Sequence, residues 1–151
     1  MNMTPTLERV GYGRRRCSVP YFHVWFATRG RRWLMQGDIA LAARQLLQEI
    51  AEEKRIALLE CETIVDHVHL LLECSDKSEL TRAMHLLKGI SARRLFENYP
   101  DLKLDASTMH VWQKGYGSKI VSETALASTR RYIQTQWERL ESFDRPNRLK
   151  A

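Results

Sequence analysis

A short apolar stretch that contains two histidines constrains this chain more than any other feature. Residues 64–72 read Ile-Val-Asp-His-Val-His-Leu-Leu-Leu, a β-branched run too short for a typical helix, which predicts a buried strand. Alternate side chains leave the same face of a strand, so His67 and His69 should lie side by side, with Val68 and Leu70 on the other face. Two adjacent imidazoles can bind one divalent metal ion. Two half-buried strand histidines without a ligand are the alternative that spacing alone leaves open.

Two neighbouring residues bear on this pair. Asp66 directly precedes it and is expected to point away from its face, as a supporting or capping group. His23 lies in a second predicted strand, residues 20–28 (Pro-Tyr-Phe-His-Val-Trp-Phe-Ala-Thr), which is aromatic and begins at its proline. His23 has two interpretations: a third metal neighbour or, more ordinarily, a histidine packed in a strand.

The remaining patterns predict an α+β fold. Asp38 is the expected N-cap of one helix, and Asp76 and Glu79 stand at capping-box spacing at the start of another. Strands are predicted at 20–28, 56–63, 64–72, 109–113 and 115–121, and a last helix from Ser122 to about Leu140. This order is typical of a ferredoxin-like, RRM-like antiparallel sheet covered by helices, with a C-terminal helix that carries Tyr132.

The length of 151 residues fits one domain. We divide the chain into a basic N-terminal arm (1–19), a single domain (20–142) and a C-terminal tail (143–151). It contains no apolar run of about 18 residues and no secretion-signal pattern at its start, so no membrane span is expected. The three cysteines lack CxxC spacing and are expected to be reduced thiols, which favours a cytoplasmic location.

The chain is basic, and its charge is clustered. The net charge of +6 favours a polyanionic partner. Candidate nucleic-acid contacts are Arg29, Arg31 and Arg32 in the first quarter and Lys88, Arg93 and Arg94 in mid-chain. These clusters are interpreted either as a groove that follows a phosphate backbone or as a solvated basic surface.

A tyrosine and a glutamine on the last predicted helix suggest chemistry for the histidine pair. Tyr132 and Gln136 are four residues apart, so they share one helix face. A tyrosine can attack phosphorus when a metal ion polarises the phosphate, and an amide oxygen such as that of Gln136 suits a metal with two histidine ligands. Each residue alone is also explained as an ordinary half-buried or surface residue of a helix.

Four ordered segments resemble one family of nucleases. Residues 66–72 resemble the HUH motif (histidine, hydrophobic, histidine) of single-strand DNA endonucleases. Residues 87–96 (Leu-Lys-Gly-Ile-Ser-Ala-Arg-Arg-Leu-Phe), 111–116 (Val-Trp-Gln-Lys-Gly-Tyr) and 132–136 (Tyr-Ile-Gln-Thr-Gln) resemble motifs of its single-tyrosine transposases, the insertion sequence 200/605 family. The similarity extends from about Tyr21 to Trp137.

The resemblance implies a specific activity. Such transposases are homodimers that bind single-stranded DNA hairpins near transposon ends, cleave through a 5′-phosphotyrosine link that leaves a free 3′-hydroxyl, and rejoin strands without ATP. Carried over, Tyr132 is the nucleophile, and His67, His69 and Gln136 hold Mg²⁺ or Mn²⁺. Lys114, in the third segment, joins the candidate DNA contacts. In the family the tyrosine helix can complete the site of the partner subunit.

Two departures and several alternatives accompany this interpretation. Val65 stands where the family has proline, and Gly117 stands where it has a second tyrosine. The alternatives are a domesticated or repeat-associated relative of the transposase, a zinc hydrolase, and a non-catalytic single-stranded nucleic-acid-binding module. In that module, some of Tyr21, Phe22, Trp25 and Phe26 would stack on bases.

Overall fold

A four-stranded antiparallel sheet forms the centre of the computed structural model, which describes residues 20–103 and 110–138. Its strands are β1 (Tyr21–Ala27), β2 (Ala57–Ile64), β3 (His67–Glu73) and β4 (Gly117–Val121), in the order β2-β3-β1-β4. The helices are α1 (Gly37–Glu53), α2 (Lys77–Asn98) and α3 (Leu126–Gln134), with short 3-10 turns at Arg29–Arg31 and Glu123–Ala125. The predicted α+β fold, an antiparallel sheet covered by helices, is confirmed.

The two faces of the sheet pack against different partners. Alternate strand residues on one face are buried beneath α1 and α2, among them Phe22, Val24, Phe26, Val68, Leu70 and Leu72. Burying a side chain of this size stabilises the fold by about 1.5–3 kcal/mol. The opposite face, here called the site face, carries His23, Trp25, His67 and His69. Helix α3 covers only one end of it, where Ile133 packs with Leu71 and Val121.

The turn between β2 and β3 departs from the predicted continuous strand. Ile64 pairs with His67, so Val65 and Asp66 form a two-residue connection. Val65 has a φ of +47°, a conformation that a β-branched residue rarely adopts. Neighbouring backbone holds the turn: Met35 N–H donates to the Val65 carbonyl (2.8 Å), and Thr28 N–H donates to that of Asp66 (2.9 Å). The strand therefore begins at the first histidine.

The predicted helix starts were partly right. Asp76 caps α2 as predicted, since its carboxylate accepts from Glu79 N–H at 2.8 Å. The expected cap of α1 was wrong: the N-cap is Gln36, and Asp38 lies inside the first turn.

Other elements are also shorter than predicted, among them the strand predicted at 115–121, which is observed as Gly117–Val121. Within 110–113, the described part of the predicted strand 109–113, Trp112 makes an isolated bridge with Thr28. The last helix is interrupted, because α3 ends at Gln134, Thr135 forms a turn, and helical structure resumes at Gln136. The predicted arm, Met109, and the stretch from residue 139 to the end lie outside the described residues.

In the part of the chain that the structure describes, no helix is both long and apolar enough to cross a membrane.

Candidate active site

The histidine pair lies on the site face at the centre of the sheet. His69 is opposite Trp25 of β1, and His67 is opposite Ala27. The two imidazole rings are 4.9 Å apart between centroids, with their planes at 81°. The alternation predicted from sequence therefore brings both rings to one place on the site face.

Asp66 supports His67 directly. Its Oδ1 lies 2.8 Å from Nδ1 of His67, and its Oδ2 lies 3.1 Å from Nε of Arg31. The expectation that Asp66 points away from the pair was wrong, because the turn at Val65 lets the carboxylate reach back to the ring. Since Nδ1 of His67 is engaged, Nε2 is the nitrogen that remains for a ligand.

His69 has an imidazole as its neighbour. Its Nδ1 lies 3.0 Å from Nε2 of His23, and both rings are buried. Burial, together with the charges of His67 and His23, lowers the pKa of His69 to about 3. Burial and the opposite Lys119 also lower the pKa of His23. His69 is therefore neutral at pH 7, which is the form that binds metal.

Glu62 is a second carboxylate near the pair, but it is engaged elsewhere. Glu62 of β2 lies opposite His69, but Arg44 engages its carboxylate at 3.2 Å. Among the described residues, no three His, Cys, Asp or Glu side chains are grouped to hold a metal ion. A metal at this site would therefore combine the two histidines with ligands of another kind.

Helix α3 brings Tyr132 to the histidines. Its ring centroid lies 5.9 Å from those of both His23 and His69, and the side chain is 39% exposed. The buried Ile133 next to it fixes the helix on the sheet, and Arg130 binds Glu60 of β2 at 2.9 Å. The structure thus places the Tyr132 ring beside His69 and His23 on the site face.

Gln136 is placed differently. It follows the interruption at Thr135, and its Nε2 donates to the backbone carbonyl of Tyr132 at 2.8 Å. The adjacent Trp137 indole donates to the carbonyl of Thr63 at 3.1 Å. In this conformation the amide of Gln136 binds its own helix, whereas the ring of Tyr132 lies beside that of His69.

Two clefts meet at Trp25 and His69. The first, of about 530 Å³, is lined by His23, Trp25, His69, Lys119, Ser128, Thr129 and Tyr132. The second, of about 420 Å³, contains Trp25, His67 and His69 together with Arg31, Lys114 and Tyr116. Each cleft has a lysine at its side, so an extended polyanion could cross the histidines from one cleft to the other.

The position of the Trp25 indole depends on the absence of a side chain at Gly117. A Cβ added at Gly117 would lie 2.2 Å from Nε1 of Trp25, so the indole packs directly on the glycine. The aromatic ring remains 38% exposed between the two clefts.

The predicted basic residues divide into two groups. Arg31 and Lys114 line the second cleft, and Arg29 and Arg32 are exposed next to Arg31. The other three, Lys88, Arg93 and Arg94, are on α2, beneath the opposite face of the sheet.

The charges of two α2 residues are engaged within the protein. Lys88 donates to the carbonyls of Gln113 (2.7 Å) and Gly115, and burial lowers its pKa. Arg94 binds Glu53 at 3.0 Å. Arg93 is exposed and lines a separate groove between α2 and residues 110–116.

Sequence reasoning missed Lys119. It lies opposite His23 in the β1–β4 register and lines the first cleft, here called the tyrosine cleft because Tyr132 is part of its wall. Strand alternation would have identified it only if the pairing of β1 with β4 had been known. A separate contact joins two of the motif segments, since Trp112 Nε1 donates to the buried Ser91 Oγ at 2.9 Å.

Known proteins resemble this chain over most of its length. The ISDra2 transposase TnpA of Deinococcus radiodurans is 30% identical over 118 residues, which cover 78% of this chain and 84% of the relative. The transposase for insertion sequence element IS200 of Salmonella typhimurium is 33% identical over 117 residues, 78% of this chain and 76% of the relative.

Solved structures agree. The crystal structure of a candidate transposase from Deinococcus radiodurans R1 matches with a TM-score of 0.65 and 30% identity, over 83% of this chain and 97% of that one. A REP-associated tyrosine transposase bound to a REP hairpin matches with a TM-score of 0.55 over 83% of this chain and 70% of that one. At 10% identity, this second match shows the fold alone.

The family model described as IS200-like transposase matches residues 17–136. This match includes the histidine pair, both lysines of the clefts, Tyr132 and Gln136, and it confirms the resemblance drawn from the four sequence segments. The chain belongs to the IS200-like transposase family.

Proposed function

We propose that this transposase cleaves and rejoins single-stranded DNA at the ends of an insertion sequence, with Tyr132 as the nucleophile. The observation that carries the proposal is the position of Tyr132, whose ring lies 5.9 Å from that of His69 on the site face. A tyrosine nucleophile and a pair of imidazoles on one face of the sheet suit attack on a phosphodiester that is held between them.

The reaction exchanges one phosphodiester bond for another. The hydroxyl oxygen of Tyr132 attacks phosphorus, the bond from phosphorus to the 3′ oxygen breaks, and the tyrosine proton ends on the departing 3′-hydroxyl. The 5′ end remains linked to Tyr132. Attack by a 3′-hydroxyl on this link reverses the exchange, so strands rejoin without ATP.

The histidines fit the expected Mg²⁺ or Mn²⁺. Each uses Nδ1 for a protein partner, Asp66 for His67 and His23 for His69, which leaves both Nε2 atoms for a metal. Gln136 would supply an amide oxygen after its side chain leaves the carbonyl of Tyr132. When bound, the ion would polarise the scissile phosphate and neutralise developing charge.

The clefts suggest where DNA lies. With the scissile phosphate at His67 and His69, flanking nucleotides would occupy the two clefts, near Lys119 on one side and Lys114 on the other. The exposed ring of Trp25 between them is suited to stack on a base. Of the basic residues predicted from sequence, Arg31 and Lys114 fit this path best.

The proposed partners are those that the family resemblance implies. A hairpin at the transposon end is the expected DNA, in keeping with the fold relative bound to a REP hairpin. A homodimer with exchanged tyrosine helices stays a prediction, and here Tyr132 lies beside the histidines of its own chain. A cytoplasmic location is likewise expected.

Covalent capture tests the proposal. Labelled single-stranded DNA from the flanks of the gene is mixed with protein, with and without Mn²⁺, and separated on a denaturing gel. We expect a metal-dependent adduct that Tyr132→Phe abolishes, because only the nucleophilic hydroxyl is lost. Tyr99→Phe is the matched control, since Tyr99 packs against the main core beyond α2.

Two results would contradict the proposal. An adduct of unchanged yield in Tyr132→Phe would exclude this nucleophile. Tight binding without an adduct on any flanking strand would favour the non-catalytic binding module or an inactivated transposase.

A further inference from the structure

His23 is a buried polar residue that takes no part in the bond exchange described above. It lies on β1 with 6% of its surface exposed, among the strand residues of the site face. Its Nε2 is 3.0 Å from Nδ1 of His69, and the two rings are 5.2 Å apart with their planes at 29°. This contact joins residues 46 positions apart in sequence.

The contact restricts where protons can lie. A neutral imidazole has one N–H donor and one bare nitrogen, so a hydrogen bond between two neutral rings needs one proton between the facing atoms. If His69 presents a bare Nε2 to a ligand, its proton is on Nδ1. His23 must then accept with a bare Nε2 and carry its own proton on Nδ1.

We propose that His23 is a positioning residue that accepts a hydrogen bond from Nδ1 of His69 and so holds His69 with a bare Nε2 facing the site. The inference rests on the proposed function, because it assigns the purpose of that nitrogen. Under this proposal each of the two metal-binding histidines has a residue that orients its ring: Asp66 contacts Nδ1 of His67, and His23 contacts Nδ1 of His69.

Two simpler roles explain the geometry less well. Packing alone would be served by an apolar side chain, which would avoid placing polar nitrogens in a buried position. Direct metal binding by Nε2 of His23 would require this atom to give up Nδ1 of His69. The short contact between the two nitrogens therefore favours an orienting role.

Metal affinity is the first test. Mn²⁺ titrations compare wild type with His23→Leu, which removes the acceptor, and His23→Gln, whose amide oxygen can still accept from His69. Loss of a group that orients a metal ligand typically weakens affinity about 10–100-fold. We expect such a loss in His23→Leu and recovery to within about 3-fold in His23→Gln, on the same scale. His85→Gln, at an exposed position of α2, is the control.

Nitrogen NMR is the second test, and it needs no metal. In the metal-free wild type, ¹⁵N shifts and ring couplings are expected to show His69 protonated on Nδ1. His23→Leu should convert His69 to a mixture of tautomers, while thermal unfolding checks that this variant folds. If His23→Leu does not fold, the role of His23 is judged from the wild type and His23→Gln, in both of which His69 should be protonated on Nδ1.

The outcomes separate the two proposals. Unchanged Mn²⁺ affinity in a folded His23→Leu variant, or His69 protonated on Nε2 in the wild type, would overturn the role of His23. Three imidazole nitrogens on Mn²⁺ by pulsed EPR would overturn it too, by making His23 a ligand. A wild type that binds no Mn²⁺ would contradict the proposed metal site, and the NMR result would then decide the role of His23.

Discussion

The two faces of strand β3 show how this small fold separates stability from chemistry. Val68 and Leu70 point into the core beneath α1 and α2 and are fully buried. His67 and His69 alternate with them and point to the site face, where each ring nitrogen Nδ1 has a polar partner. The core face contributes to stability through buried apolar area, whereas the site face depends on individual hydrogen bonds that orient the histidines. Substitutions on the core face should therefore lower mainly stability, and substitutions on the site face should lower mainly cleavage activity.

The largest expected effect is on the site face. His67→Ala removes one ligand of the proposed metal site, and a bound ion contributes several kcal/mol to transition-state stabilisation, which corresponds to at least about a 100-fold loss of metal-dependent cleavage. Unfolding free energy should change by only about 1 kcal/mol, because Asp66 keeps its contact with Arg31.

Single-turnover cleavage and urea unfolding measure the two quantities, with His85→Ala as the control on α2. Full cleavage activity in His67→Ala, or activity that needs no metal, would rule out the site as described.

Leu70→Ala tests the other face of the same strand. Leu70 is fully buried in the main core, and truncating such a leucine costs about 2–5 kcal/mol through lost contacts and a cavity. Leu41→Ala, at a side chain that is 53% exposed, should change the unfolding free energy by less than about 0.5 kcal/mol.

Urea denaturation of both variants checks this contrast. If the two leucine variants lost equal stability, the assignment of the core to this face would be wrong.

The sequence predicted the elements better than it predicted the contacts between them. The alternation in 64–72 was sufficient to place both histidines on one face, because strand geometry is local. The turn at Val65, the return of Asp66 to His67, and the contact of His23 with His69 depend on tertiary packing that no local pattern encodes.

The basic residues and the last helix show the same limit. Charge in the sequence made Lys88 a candidate DNA contact, but pairing of its ammonium with backbone carbonyls depends on how residues 113–115 fold over α2. One continuous helix was predicted from Ser122 to about Leu140, whereas the structure interrupts the helix at Thr135. That interruption separates Tyr132 from Gln136, which periodicity alone had placed on one continuous face.

Gly117→Ala probes the aromatic part of the site face. The added Cβ would lie 2.2 Å from Nε1 of Trp25, so the indole must move. Because stacking on an aromatic ring contributes about 1–3 kcal/mol per base, affinity for single-stranded DNA should fall about as much as in Trp25→Ala. Fluorescence anisotropy in a Tyr132→Phe background measures this without cleavage.

A double variant sharpens the test. If Gly117 acts only by accommodating Trp25, Gly117→Ala should cost no further affinity once Trp25 is alanine. Gly89→Ala is the matched control for stability, since an added Cβ there meets no atom within 4 Å. Additive losses in the double variant would show that Gly117 affects binding by another route.

Lys119→Gln is expected to have the smallest effect on DNA affinity. It tests whether a positive charge on the site face contributes more to DNA binding than one on the helix side of the sheet. Lys119 lines the tyrosine cleft, whereas Lys54 lies exposed at the end of α1 in the helix layer. If Lys119 contacts one phosphate, its loss should reduce the slope of log affinity against log salt by about 0.7 for single-stranded DNA. Lys54→Gln removes the same charge from the opposite side and should leave that slope unchanged. Salt titrations of both variants by fluorescence anisotropy, again in the Tyr132→Phe background, measure the two slopes. A lower slope in Lys119→Gln alone would support a DNA path across the site face. Equal reductions in both variants would instead indicate a general attraction of DNA to a basic protein.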